Sequence, residues 1–352
     1  MTPVELSRTV LRAMRHAVDA GELRVAVPEG GSVRVERPRA GGCGDYASNL
    51  ALQVARAAGR PPRQVAEVLA LRLADEPGIA KVDITGPGFL NITLAEAGGG
   101  ALVREVLGRG RCYGHVHPDT GLLAQIHVPR EVRAVVVADS VRRILRSQGT
   151  LVRVTCDEAP EPDWTRLLGV SVDAHGRPPQ PLPTLRPVPA PEEATLRLGR
   201  DAGRWALLHP AAHDHPRVSP GQGGDAHLVQ SESNPLFRVR YAHSRCRALQ
   251  RNAADLGFGA VPGEVDAPEL LRQVEAYPGV LDAAARHRAP DRLARYLVVT
   301  ADALLALQSS VLPRGDEKPS AAHRARLALA EATGTVLAGG LSLLGISAPE
   351  YL

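Results

Sequence analysis

Apolar residues at three- and four-residue steps mark most of this chain as helical, and the texture changes twice along its length. Residues 4–17 carry one apolar stripe, which predicts an amphipathic helix. Residues 33–36 read as a strand. Residues 46–58 read as a second helix ended by Gly59, and Pro61-Pro62 opens a third that runs to Ala74. Proline suits a first helical turn and glycine a helix exit. Short strands are predicted at 82–84 and 90–94, on either side of the turn Gly86-Pro87-Gly88. A helix at 101–107 comes next. A strand at 122–128, a helix at 132–147 and a strand at 151–155 then form a single strand-helix-strand unit. From Glu158 to Pro191 nine prolines interrupt every period, predicting a linker with little regular structure. Residues 196–208 are helical again, and 209–224 return to turns.

Beyond residue 233 the pattern is helical throughout. Apolar stripes along 266–276, 291–311 and 320–344 predict an antiparallel bundle. Its first helix, 234–251, sets Val239, Ala242, His243, Cys246 and Leu249 on one stripe. Arg238, Arg240, Arg245, Arg247 and Arg251 lie off it, which predicts five positive charges on the solvent side. Such a face suits a solvated bundle surface or a phosphate backbone. The textures separate 1–97, a compact α+β region, from 98–232 and from the helical 233–352.

At 352 residues the chain is long enough for two or three domains. No apolar run is long enough to cross a bilayer, and no signal peptide is visible at the start. Cys43, Cys112, Cys156 and Cys246 are scattered without a Cys-x-x-Cys pair, so a disulfide framework or zinc ribbon is not expected and a reduced cytoplasm is. A net charge of +4 and a pI near 9.1 give a modest pull towards polyanions. Lys81 and Lys318 are the only lysines. His209, His213 and His215 have metal-like spacing but lie among prolines, and no metal site is expected.

Several motifs resemble class I arginyl-tRNA synthetases. In the helix at 234–251, Asn234-Pro235, then Tyr241-Ala242-His243, then Arg245 follow the order of that family's anticodon-binding domain. The segments 289–297, 326–333 and 341–350 resemble its later helices and tail. The chain reads Pro349-Glu350-Tyr351-Leu352 where the family has Pro-Glu-Arg-Met. Near the start, Gly44-Asp45-Tyr46-Ala47-Ser48-Asn49 and Gly86-Pro87-Gly88-Phe89-Leu90-Asn91 resemble signatures of the family's N-terminal additional domain. From the residues alone, Asp45 suits a helix N-cap, and Phe89 and Asn91 suit a core ring and a turn as well as an RNA contact. The resemblance implies that Phe89 and Asn91 approach a base at the tRNA elbow, by stacking and amide hydrogen bonds.

The middle region is the exception. Arg133, Asp139 and Arg143 resemble the helix that follows the ATP-binding His-x-Gly-His element of class I synthetases. However, Val128-Pro129-Arg130-Glu131 stand at the element itself, and His127 lies one position off. Glu131 would put a carboxylate where negative charge develops during adenylate formation. The second element, Lys-Met-Ser-Lys-Ser, is absent, since no lysine occurs between Lys81 and Lys318. The family pattern resumes at Gly199-Arg200-Asp201.

The expected fold is therefore multidomain α+β. It comprises an additional domain at 1–97, a reduced Rossmann-like α/β remnant at 98–232 with its proline-rich linker at 158–191, and an all-α anticodon-binding bundle at 233–352. The expected function is tRNA binding without aminoacylation, no catalytic residue and no cofactor, ATP included. The expected tRNA contacts are Phe89, Asn91, Arg240, Tyr241, His243, Arg245, Arg247 and Arg251. The expected partner is tRNA, arginine tRNA foremost, with no membrane and no metal. Two alternatives stand beside it: an active arginine-tRNA ligase with an atypical site, and an interaction module that docks on a synthetase.

Overall fold

Helix α1 (Pro3–Asp19) buries Leu6, Val10, Met14 and Ala17 on one stripe, as the sequence predicts. The computed structural model describes residues 3–27, 33, 35–36, 38, 43–76, 78–94, 99–116, 121–176, 178 and 182–352. The chain divides into two units, Met1–Leu102 and Val103–Leu352.

In the first unit, strands β1 (Val35–Glu36), β2 (Tyr46–Ser48), β3 (Ile79–Thr85) and β4 (Phe89–Leu94) form an antiparallel sheet of order β1-β2-β4-β3. Helices α1, α2 (Leu50–Ala58) and α3 (Pro62–Ala74) share one core with it. Leu50, Leu69, Leu73, Leu90 and Ile92 are fully buried there. Two expectations are corrected. Tyr46–Ser48 is not the start of the second helix but a strand, because Tyr46 pairs with Ile92 and Ser48 with Leu90. Asp45 caps no helix, because its Oδ2 accepts the backbone N–H of Leu94 at 2.9 Å and so fastens the end of β4.

The division between the units falls within α4 (Gly99–Arg109). The second unit then gives the expected strand-helix-strand: β5 (Leu123–Val128), α5 (Val132–Ser147) and β6 (Leu151–Cys156), with β5 and β6 parallel. Where the sequence predicts a linker, the described residues of the proline-rich stretch hold regular structure. β7 (Ala174–His175) pairs parallel with β6, a π-helical turn at Trp164–Leu168 buries the Trp164 ring, and His127 pairs with Thr184 beside β5. The helix predicted at 196–208 breaks into α6 (Glu192–Arg197) and α7 (Gly199–Leu208), with Gly199 in the left-handed region.

Helices α8 (Pro235–Asp255), α9 (Pro268–His287), α10 (Pro290–Leu307) and α11 (Ala321–Leu343) make the bundle, and α5 packs against α9, α10 and α11. Asn234 starts α8: its Oδ1 accepts the N–H of Leu236 while its amide donates to the carbonyls of His227 and Val229. A cap of this kind is worth about 1 kcal/mol. On α8, Val239, Ala242, His243, Cys246 and Leu249 are all buried, matching the predicted stripe. Gly334 of α11 faces Cys246 so closely that a Cβ there would lie 2.9 Å from the Cys246 Cβ. The two helices can therefore meet only over glycine. Burial pushes the Cys246 thiol up to about 12, leaving it a small apolar side chain at neutral pH. Among the described residues, no helix is long and apolar enough to cross a membrane.

Candidate functional site

The hairpin of the first unit presents one ring and hides one amide. Phe89, at the first position of β4, is 41% exposed, although large aromatics are usually buried. Asn91, two residues on and so on the same face of β4 as Phe89, opposite to the core residues Leu90 and Ile92, is only 2% exposed. Its Nδ2 donates to Thr85 Oγ1 at 2.7 Å and to the Phe89 carbonyl at 3.4 Å. Asn91 thus ties the two arms of the turn together, and Phe89 is the member of the pair that meets solvent.

In the second unit the arginine face of α8 is not bare. The segment that follows α11 runs along it and supplies polar partners. Arg240 donates to Ser347 Oγ at 3.3 Å and lies 3.5 Å from Asp201. Arg247 pairs with Glu350 at 2.9 Å and also donates to Gln250. The Arg251 guanidinium sits 4.3 Å over the Tyr351 ring, a favourable cation–π distance. Arg238 pairs with Asp302 at 3.3 Å, and Arg245 donates to Gln308. Tyr241 stacks on Phe237 with centroids 5.6 Å apart. His243 is buried, with Nδ1 hydrogen-bonded to the Pro349 carbonyl at 2.9 Å, and burial holds its pKa below the ordinary imidazole value. The structure therefore brings Arg240, His243, Arg247 and Arg251 together under one segment, whereas Arg245 and Tyr241 point to other neighbours. Exposed ion pairs of this kind are weak, about 0–1 kcal/mol each, so a polyanion can compete for the guanidiniums.

The region around α5 and α7 holds its charged residues for internal use. Glu131 is the N-cap of α5: its carboxylate accepts the backbone N–H groups of Arg133 (3.1 Å), Ala134 (2.8 Å) and Ala190 (3.0 Å). Those α5 amides are the donors that would otherwise hold an anion at a helix N-terminus. His127, beside them, has both ring nitrogens engaged, with Thr155 Oγ1 at 2.8 Å and Asp157 Oδ1 at 2.9 Å. Arg133 is fully buried and donates to five backbone carbonyls, of Leu207, Val188, Asp214, Pro210 and Ala211. Burial lowers its pKa from the ordinary guanidinium value.

Asp139, also fully buried, binds Arg142 at 2.5 Å, Arg143 at 3.0 Å and Arg204 at 2.8 Å. Arg204 donates further to the carbonyls of Leu344 and Leu168. Desolvation brings its pKa down to about 10, so it stays charged at neutral pH. Gly345 has φ of +72°, and a Cβ there would collide with the Arg204 guanidinium. Among the described residues no group of three or more His, Cys, Asp or Glu side chains is set to hold a metal.

Sequence reasoning missed the segment over α8, the carbonyl cage of Arg133 and the cap role of Glu131. Only the last had a local signal, an acidic residue directly before an apolar helical run.

Residues 6–94 match the family model of the arginyl tRNA synthetase N terminal domain, and residues 239–352 that of the DALR anticodon binding domain. An arginine–tRNA ligase of Frankia alni is 28% identical over 564 residues, covering 100% of both chains. That alignment is far longer than the 352 residues here, so stretches of that relative amounting to a domain have no counterpart. A ligase of Micrococcus luteus is 40% identical over 163 residues, 42% of this chain and 29% of its own. The solved arginyl-tRNA synthetase of Thermus thermophilus shares the fold at a TM-score of 0.64 and 15% identity, covering 100% of each chain. The two domain matches together span more than half of the chain and flank its middle region in the same order as the resembling motifs, and the chain belongs to the arginyl-tRNA synthetase family.

Proposed function

We propose that this protein binds tRNA, arginine tRNA foremost, and does not aminoacylate it. The observation that carries the proposal is the Glu131 cap. A class I synthetase needs positive stabilisation where ATP phosphates sit, beyond the first strand of the α/β fold. In this chain a carboxylate fills the N-terminus of α5 after β5, bonded to three amides. The lack of any lysine between Lys81 and Lys318 removes the second ATP element as well. The RNA side of the proposal is supported by the relatives' activity on tRNA, by the exposed Phe89 ring and by the weakly paired arginines of α8.

On this reading residues 1–97 and 233–352 are the RNA-gripping domains, 98–232 is the reduced catalytic region, and the setting is the cytoplasm. Phe89 makes the elbow contact, with Asn91 setting its turn. Arg240, Arg245, Arg247 and Arg251 meet phosphates, and Tyr241 and His243 shape the helix that carries them.

Two assays test the proposal. Filter binding of tRNA transcripts should give a salt-dependent dissociation constant below micromolar, and arginine-dependent ATP–pyrophosphate exchange should be absent. Exchange above background would establish instead an active ligase with an atypical site, which full-length alignment to ligases favours. Absence of both activities, with capture of a synthetase, would favour the docking alternative.

A further inference from the structure

Beside α8 lies a cavity of about 610 Å³ whose lining includes Arg111, Arg143, Arg200, Asp201, Ser342 and Ser347. It is built from four separate pieces of the second unit: the 3-10 turn Gly110–Cys112, α5, α7 and the end of α11 with its following segment. Its charges do not cancel. The carboxylate of Asp201 is already held by the N–H and hydroxyl of Ser347 and by Arg240. Asp139, which holds Arg143, is fully buried and shared among three arginines.

The guanidiniums, in contrast, have donors to spare. Each carries five N–H groups. Arg143 commits its Nε to Asp139 and Arg200 commits its Nε to the Gly345 carbonyl. Arg111 is exposed and has no hydrogen-bond or ion-pair partner among the described residues. Three forked donors around a cavity of this size suit tetrahedral anions, because guanidinium and phosphate match edge to edge. No aromatic ring lines the cavity, and its polar lining is guanidinium, carboxylate and hydroxyl. Guanidinium contacts to phosphate position a nucleic acid without reading its sequence.

We infer that this cavity seats phosphodiester groups of the same RNA that α8 grips. The inference rests on the RNA-binding reading above. Continuity supports it: Arg240 of α8 touches both Ser347 and Asp201, which line the cavity. One RNA strand can thus pass from Arg247 and Arg240 into the pocket.

The experiment compares the full chain with Arg111→Ala/Arg200→Ala and with Arg111→Lys/Arg200→Lys, by filter binding of an arginine tRNA transcript at several salt concentrations. Each variant is also melted thermally, and ATP binding is titrated in parallel. The double alanine variant should keep its melting temperature, bind about tenfold more weakly and show a salt slope smaller by roughly two. The double lysine variant should keep the slope. Alanine substitutions that leave tRNA affinity and slope unchanged overturn the inference, and if they abolish ATP binding the cavity belongs to a free nucleotide. Absence of tRNA binding by the unaltered chain overturns the RNA-binding reading along with it.

Discussion

Asp139 and Arg204, neither exposed to solvent, lie 2.8 Å apart at the meeting of α5 and α7. Three arginines converge on this one carboxylate, so the cluster keeps a positive excess and depends on backbone carbonyls to absorb it. Asp139→Ala should cost about 3–5 kcal/mol, because it strands buried guanidiniums without their counter-ion. Urea unfolding measures this directly, and a loss below about 1 kcal/mol, no more than an exposed pair, would contradict it.

Gly345→Ala should destabilise the same cluster. The position has φ of +72°, and the added Cβ would displace Arg204. Left-handed strain and the forced shift together should cost about 2–4 kcal/mol. Gly257→Ala is the control: its φ is +76° but open space surrounds it. Equal midpoints for the two variants would mean that the contact with Arg204 does not matter.

Acid should weaken the fold of the second unit. His209, His227 and His243 all have pKa values lowered, in each case first by burial. The unfolded chain therefore takes up protons at a higher pH than the folded one, and stability falls as the pH drops below about 6.5. Chemical-unfolding midpoints at about pH 7.5 and about pH 5.5 report the loss. His243→Asn should flatten the dependence, and an identical slope in that variant would remove His243 from the explanation.

Phe89→Ala should lower tRNA affinity about tenfold, the weight of one stacked base, while the melting temperature holds. The ring is too exposed to carry much of the core. Asn91→Ala should do both, because its amide ties Thr85 to the turn. If Phe89→Ala instead melts early and binds normally, the ring is a packing residue.

Glu131→Ala should cost about 1 kcal/mol, the usual worth of an N-cap, without giving ATP–pyrophosphate exchange. The missing lysine element is untouched by this change. Exchange appearing in the variant would show that the carboxylate alone had blocked nucleotide binding.

Helix periodicity made the bundle legible: the five stripe residues of α8 are buried as the spacing requires. The βαβ unit was legible for the same reason, since α5 spans the predicted 132–147. Tyr46–Ser48 was misread because three residues are too few to show an alternating pattern, and their strand exists only through pairing with β4. The order in the proline-rich stretch was hidden for a similar reason, as its bridge at Thr184 depends on His127, more than fifty residues earlier. The arginines of α8 looked free because their partners, Ser347, Glu350 and Tyr351, lie about a hundred residues further along. Charge at a helix surface is visible in sequence, but its neutralisation from a distance is not.

Arg133 has a consequence for how this region can vary. Its guanidinium serves as a private solvent for the backbone between Leu207 and Asp214 and at Val188, supplying the donors that water would otherwise provide. Because it recognises carbonyls alone, every residue type at those positions offers it the same acceptor. Drift should run freely through that loop, then, while the single side chain at 133 stays fixed.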